Sequence, residues 1–187
     1  MNRLILFLLL LSACTDQNEQ KTKMIDFGTF SIELPESWQI REVKGIDSEV
    51  KEIITQEGDT LHFDYGLYSN PLNEEEERIY PEKLKAWFIT NHVDTTGKIF
   101  LAKDSITEQD REKYRKQQIS YQIIDGYQAK IVSPKHPGIG LTGVYFDSLS
   151  TIGEGMGNIK LEFSGENIQP KNNALFQQAI RTIQFKK

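Results

Sequence analysis

Ile119-Ser120-Tyr121-Gln122-Ile123-Ile124-Asp125-Gly126-Tyr127-Gln128-Ala129-Lys130-Ile131-Val132-Ser133 is the stretch on which the fold turns. Two runs rich in β-branched and aromatic residues, 119–124 and 127–133, flank an Asp-Gly pair of the kind that reverses a chain within two residues. A turn this short requires antiparallel pairing. Downstream, 142–149 and 158–163 are two further strands, parted by the glycine cluster from Gly153 to Gly157. Upstream, Phe30, Ile32 and Leu34 alternate with Ser31 and Glu33, the pattern of a half-buried strand, and Pro35 breaks it. Trp38 to Val43, Val50 to Thr55 and Thr60 to Tyr68 follow as strands, the last two joined by a turn at Gly58-Asp59.

Helical spacing occurs twice. Leu84, Trp87 and Phe88 predict a helix from about Pro81 to His92, with Pro81 in its first turn. Leu175, Phe176, Ala179 and Ile180 predict another, capped by Asn172 or Asn173 and followed by a short strand at Ile183 and Phe185. Lys98 to Lys103 is a strand. Asp104 to Gln118 is a charged excursion, helical or looped, in which Ser105-x-x-Glu108 resembles a capping box.

The 187 residues are 38% hydrophobic, enough for one domain with its own core. Lys plus Arg number 22 against 27 for Asp plus Glu, a net charge of -5, which argues against nucleic acid as a partner. A single Cys excludes an intramolecular disulfide and a thiolate metal cluster.

That Cys stands at position 14. Met1-Asn2-Arg3 is a short basic start, Leu4 to Leu11 is an unbroken apolar run, and Leu11-Ser12-Ala13-Cys14 closes it. Eight helical residues cover about 12 Å, too little for a hydrocarbon core of about 30 Å. The run resembles the signal peptide and lipobox of bacterial lipoproteins, in which the Cys is lipidated and becomes the new N-terminus. The resemblance implies a signal peptide at 1–13, lipidation at Cys14, a flexible tether at 14–23 and one globular domain at 24–187. The tether would average roughly 15–20 Å end to end. Acyl chains contribute about 0.8 kcal/mol per buried CH₂, so several on one residue hold a protein on a membrane. Thr15 after the Cys resembles outer-membrane sorting.

Phe30-Ser31-Ile32-Glu33-Leu34-Pro35 followed by Trp38 is similar to the opening of the PsbP-like fold. Asp125-Gly126-Tyr127-Gln128-Ala129-Lys130-Ile131 and the closing Leu175-Phe176 to Ile183-Gln184-Phe185 resemble its central strand pair and final helix and strand. The likeness covers about residues 27 to 186. It implies an α+β fold, a three-layer α/β/α sandwich with a central, mostly antiparallel β-sheet, and a binding or assembly role without a shared catalytic site. The segment 104–118 departs from that pattern.

His62-Phe63-Asp64 puts His62 and Asp64 on one face of a strand, so the pair could begin a ligand or metal site or an acid/base pair. A metal needs three or four convergent ligands, and spacing supplies two. Gly138-Ile139-Gly140-Leu141-Thr142-Gly143 has the G-x-G-x-x-G spacing, but prolines precede it and a β-rich run follows, so a dinucleotide site is not expected. Glu74 to Glu77 lacks the residues of a dedicated calcium loop. No G-x-S-x-G elbow occurs, and neither His92 nor His136 is brought near a Ser by the sequence. The expectation is a non-enzymatic envelope lipoprotein that needs no cofactor and binds an envelope protein, or alternatively a small ligand or metal at His62 and Asp64.

Overall fold

A computed structural model describes residues 20–73, 78–153 and 157–186. Among these described residues twelve strands and three helices follow in chain order. The strands are β1 (Thr22–Asp26), β2 (Phe30–Pro35), β3 (Gln39–Glu42), β4 (Glu49–Ile54), β5 (Thr60–Gly66), β6 (Ile79–Pro81), β7 (Ile99–Leu101), β8 (Gln117–Ile124), β9 (Tyr127–Pro134), β10 (Leu141–Gly153), β11 (Gly157–Glu166) and β12 (Gln184–Phe185). The helices are α1 (Lys83–Thr90), α2 (Glu108–Tyr114) and α3 (Pro170–Ile180).

The main sheet has seven strands in the order β3-β4-β5-β11-β10-β9-β8, all antiparallel. A three-stranded sheet, β1-β2-β12, and the parallel pair β6-β7 complete the set. The β8–β9 turn is as tight as the sequence indicates. Asp125 (φ 47°) and Gly126 (φ 83°) both take left-handed conformations, and Ile124 pairs directly with Tyr127. That is the geometry of a type I′ turn, which matches the twist of the strands it joins.

Period-2 alternation decides which side chains meet. Phe63, Phe163, Val144 and Ile131 lie in one lateral row across β5, β11, β10 and β9, facing the core. Against this face lie Phe30, Ile32 and Leu34 of β2 and Phe176 and Ile180 of α3. Phe63 is fully buried, with ring centroids 4.7 Å from Phe27, 5.0 Å from Phe30 and 5.9 Å from Phe163. Gly143 lets β10 and β11 approach closely, since a Cβ there would sit 2.7 Å from the carbonyl oxygen of Phe163.

The expected three-layer α/β/α sandwich is not what this chain builds. Of the described residues 47% lie in strands and 16% in helices, a β-rich fold. A helical layer must bury an apolar stripe against the sheet, and only α3 does so. No residue of α1 is buried, although Leu84 and Trp87 have helical spacing, and α2 buries only Asp110. Phe88 instead joins a half-exposed aromatic group with Tyr80 and Phe100, at 4.9 and 5.7 Å between centroids.

Four local expectations also change. Pro81 closes β6 and is not the first turn of α1. The capping box of α2 is formed by Thr107 and Asp110, with the Thr107 N–H donating to Asp110 Oδ2 at 3.1 Å. Asn172 and Asn173 lie inside α3, which starts at Pro170. Asn172 Nδ2 there donates to Thr55 Oγ1 at 3.1 Å and Asp59 Oδ2 at 2.8 Å, fastening the β4–β5 turn to the helix. Finally, Thr22 and Lys23, expected in the tether, belong to β1.

Candidate functional site

The face of the main sheet turned away from β2 and α3 carries the polar residues of each alternation. One lateral row on it runs Val50, Asp64, Glu162, Tyr145, Lys130, Tyr121. The next contains Glu52, His62, Ser164, Gly143, Val132 and Ile119. His62 and Asp64 do share this face, as the spacing indicates.

The segment after β5 then crosses over the rows. Ser69 Oγ donates to the Asp64 carbonyl at 2.9 Å. Leu72 packs on Val132 and Tyr145, and Lys130 Nζ donates to the carbonyl of Pro71 at 2.8 Å and to Asn73 Oδ1 at 2.9 Å. The crossing seals polar groups that a bare sheet would leave in water. Glu162 is 2% exposed and Ser164 1%.

Burial therefore pushes the Glu162 carboxyl up to about 7, a shift that the negative charge of Asp64 reinforces and a hydrogen bond from Ser164 opposes. Its Oε1 has no hydrogen-bond partner, and its Oε2 lies 3.5 Å from His62 Nε2. Burial also lowers the pKa of His62, against the pull of Glu52, Asp64 and Glu166. A neutral His and a carboxyl that titrates near neutrality thus stand side by side. Next in the row, Tyr145 Oη donates to Asp147 Oδ1 at 2.9 Å, and burial pushes that phenol up to about 12.

This arrangement can take up or release a proton near neutral pH, but it is not a nucleophilic triad. Ser164 Oγ is 3.5 Å from His62 Nε2, the same ring nitrogen that faces Glu162. A relay needs the acid on one nitrogen and the hydroxyl on the other. Among the described residues no three or more His, Cys, Asp and Glu side chains gather so as to hold a metal ion, so His62 and Asp64 are brought together without the further ligands a metal requires.

The other candidate positions lie elsewhere. His92 follows the C-cap of α1 with φ 54°, and His136 lies in the β9–β10 connection, where it pairs in an isolated bridge with Ile139. Gly138 to Gly143 leads into strand β10 and opens no helix. Cys14 and Glu74 to Glu77 lie outside the described residues. Among the described residues no helix is long and apolar enough to cross a membrane.

Sequence reasoning missed Glu162, Ser164 and Tyr145. Alternation places them on the polar face, but their burial depends on a crossing segment that alternation does not reveal. A second feature of this face is its outer edge. Ile119, Tyr121 and Ile123 of β8 are 45%, 64% and 70% exposed. No family model matches the chain, and no curated protein is significantly similar to it.

Proposed function

We propose that this chain is a cell-envelope lipoprotein, held on a bacterial membrane through Cys14, whose β-rich domain is a non-enzymatic protein-binding or assembly module. The observation that carries the proposal is the placement of the chain's one Cys: Leu11-Ser12-Ala13-Cys14 directly after the apolar run and directly before a polar stretch. The binding role is supported by large apolar side chains left in water, Trp87 of α1 at 56% and the β8 row among them. The outer membrane is the favoured location, on the strength of Thr15.

Cys14→Ser is expected to abolish incorporation of labelled fatty acid and to move the protein from the membrane to the soluble fraction. Unchanged labelling and fractionation would overturn the anchor. For the binding role, a photo-crosslinking residue at position 87 in living cells is expected to capture one abundant envelope protein. The absence of any reproducible adduct would overturn the module.

A further inference from the structure

We propose that β8 is a self-association edge, through which two copies of the chain pair antiparallel about a twofold axis at Tyr121. This goes beyond the binding-module reading and does not depend on the lipid anchor.

The backbone is the first argument. Ile124 and Tyr127 close the two-residue turn and exchange hydrogen bonds, so bonding toward β9 alternates from there, through Gln122 with Ala129 and Ser120 with Ile131. The N–H and C=O groups of Ile119, Tyr121 and Ile123 consequently point away from β9. Among the described residues no strand pairs on that side, because β8 ends the sheet.

Such an open edge is a template for another strand, and proteins ordinarily blunt one with charge, Pro, a bulge or brevity. The opposite edge of the same sheet is blunted. β3 has four residues, two of which, Arg41 and Glu42, are ion-paired to Glu52 and Lys51. β8 has eight residues and contains no Asp, Glu, Lys, Arg or Pro, in a chain that is 26% charged.

The pattern of the strand selects a second copy as the occupant. Ile119, Tyr121 and Ile123 form a sequence that is the same in either direction about Tyr121. Antiparallel pairing centred there sets Ile119 against Ile123 of the second copy, Tyr121 against Tyr121, and Ser120 against Gln122. All three apolar side chains of each copy then lie on one face of the joint, and all three outward pairs of backbone groups are met, giving about six hydrogen bonds. Centring at Gln122 instead would put Ile119 against Asp125. The charges at the ends agree with the Tyr121 centre. Asp125 of one copy falls opposite Gln117 and next to Lys116 of the other, so unlike charges meet even though each copy carries a net charge of -5.

Eight residues a side is fewer than the roughly 20–30 of a standard interface, so the pairing is a weak, concentration-dependent dimer.

The test uses the full-length protein in mild detergent, with Tyr121→Cys. Directly paired residues have Cα atoms about 5.5 Å apart, inside the range a disulfide spans, whereas two copies of position 119 would be four residues out of register, about 13 Å apart. Mild oxidation is expected to give a species of twice the chain mass with Tyr121→Cys, and none with Ile119→Cys or with the unsubstituted chain, which carries Cys14 alone. Sedimentation is expected to show self-association at high protein concentration, lost in Tyr121→Lys while its melting temperature stays at the wild-type value. Both side chains are exposed, so neither change disturbs the core. Equal cross-linking at 119 and 121, or a monomer at all concentrations, overturns the proposal. An adduct between position 121 and a different envelope protein also overturns self-pairing, while leaving the binding module standing.

Discussion

Phe63→Ala is expected to lower the stability of the folded chain by about 3–5 kcal/mol, the cost of removing a large aromatic side chain from a closed core. Its ring is fully buried and touches Phe27 and Phe30, at the β1–β2 connection, and Phe163 of β11. Those neighbours belong to both layers, so the space left behind has no single element that can move in to fill it. For a protein of this size the corresponding fall in melting temperature is roughly 6–20 °C. Ile40→Ala, on the exposed strand β3, is expected to change stability by no more than about 0.5 kcal/mol. Thermal unfolding followed by circular dichroism checks both. A Phe63→Ala variant that melts within 2 °C of wild type, about 1 kcal/mol on the same scale, would show that the two layers are not closed on this ring.

The second large effect is a pH dependence. The Glu162 carboxyl has an ordinary value of 4.5 and is raised to about 7 in the folded state, so the folded chain holds this proton more tightly than the unfolded one. The stability it contributes is fully present below pH 4.5 and is lost as pH rises through 7. The loss amounts to about 3 kcal/mol. Glu162→Gln keeps the shape of the neutral acid and cannot ionise. It is expected to match wild type near pH 4.5 and to be more stable by about 3 kcal/mol at pH 8. His62, with its lowered pKa, works in the opposite sense on the acid side; because its Nε2 lies 3.5 Å from Glu162 Oε2, the comparison is repeated in a His62→Gln background, which removes their coupling. Denaturant unfolding at pH 4.5, 6 and 8 measures the difference. Parallel stability curves for the two proteins would mean that Glu162 is ionised in the folded state at neutral pH.

The strands of the main sheet were legible because period-2 alternation and turn residues are local signals. The pair Asp125-Gly126 marks one tight antiparallel hairpin, whose register the structure supplies. β1 and β6 were not legible. β1 has one partner and exposed side chains, so Thr22 and Lys23 look like tether, and β6 is three residues ending in Pro81, which reads equally well as a helix start. The helical layer was the larger error. Leu84, Trp87 and Phe88 have the spacing of a buried face, and spacing says nothing about whether a surface arrives to cover it. The same limit applies at the site. His62 and Asp64 fall together by alternation within one strand, whereas Ser164 reaches His62 across 102 positions of sequence, and the burial of Glu162 accompanies a crossing by residues 69–73 that no local signal announces.

The way β1 is attached determines how the domain answers tension applied at its N-terminus. Thr22 pairs with Pro35 at the open end of the β1–β2 hairpin, and the turn lies at the other end, after Asp26. A force drawing residue 22 away from the body meets one rung at a time, Thr22 first and Asp26 last, as a zip opens. It does not have to break all five pairs at once. Since β1 is mostly exposed and belongs to the small sheet, where it pairs with β2, its peeling breaks no pairing among the strands from β3 to β11, while Ile25 leaves its place against the core. Five residues released from the hairpin span about 17 Å when extended.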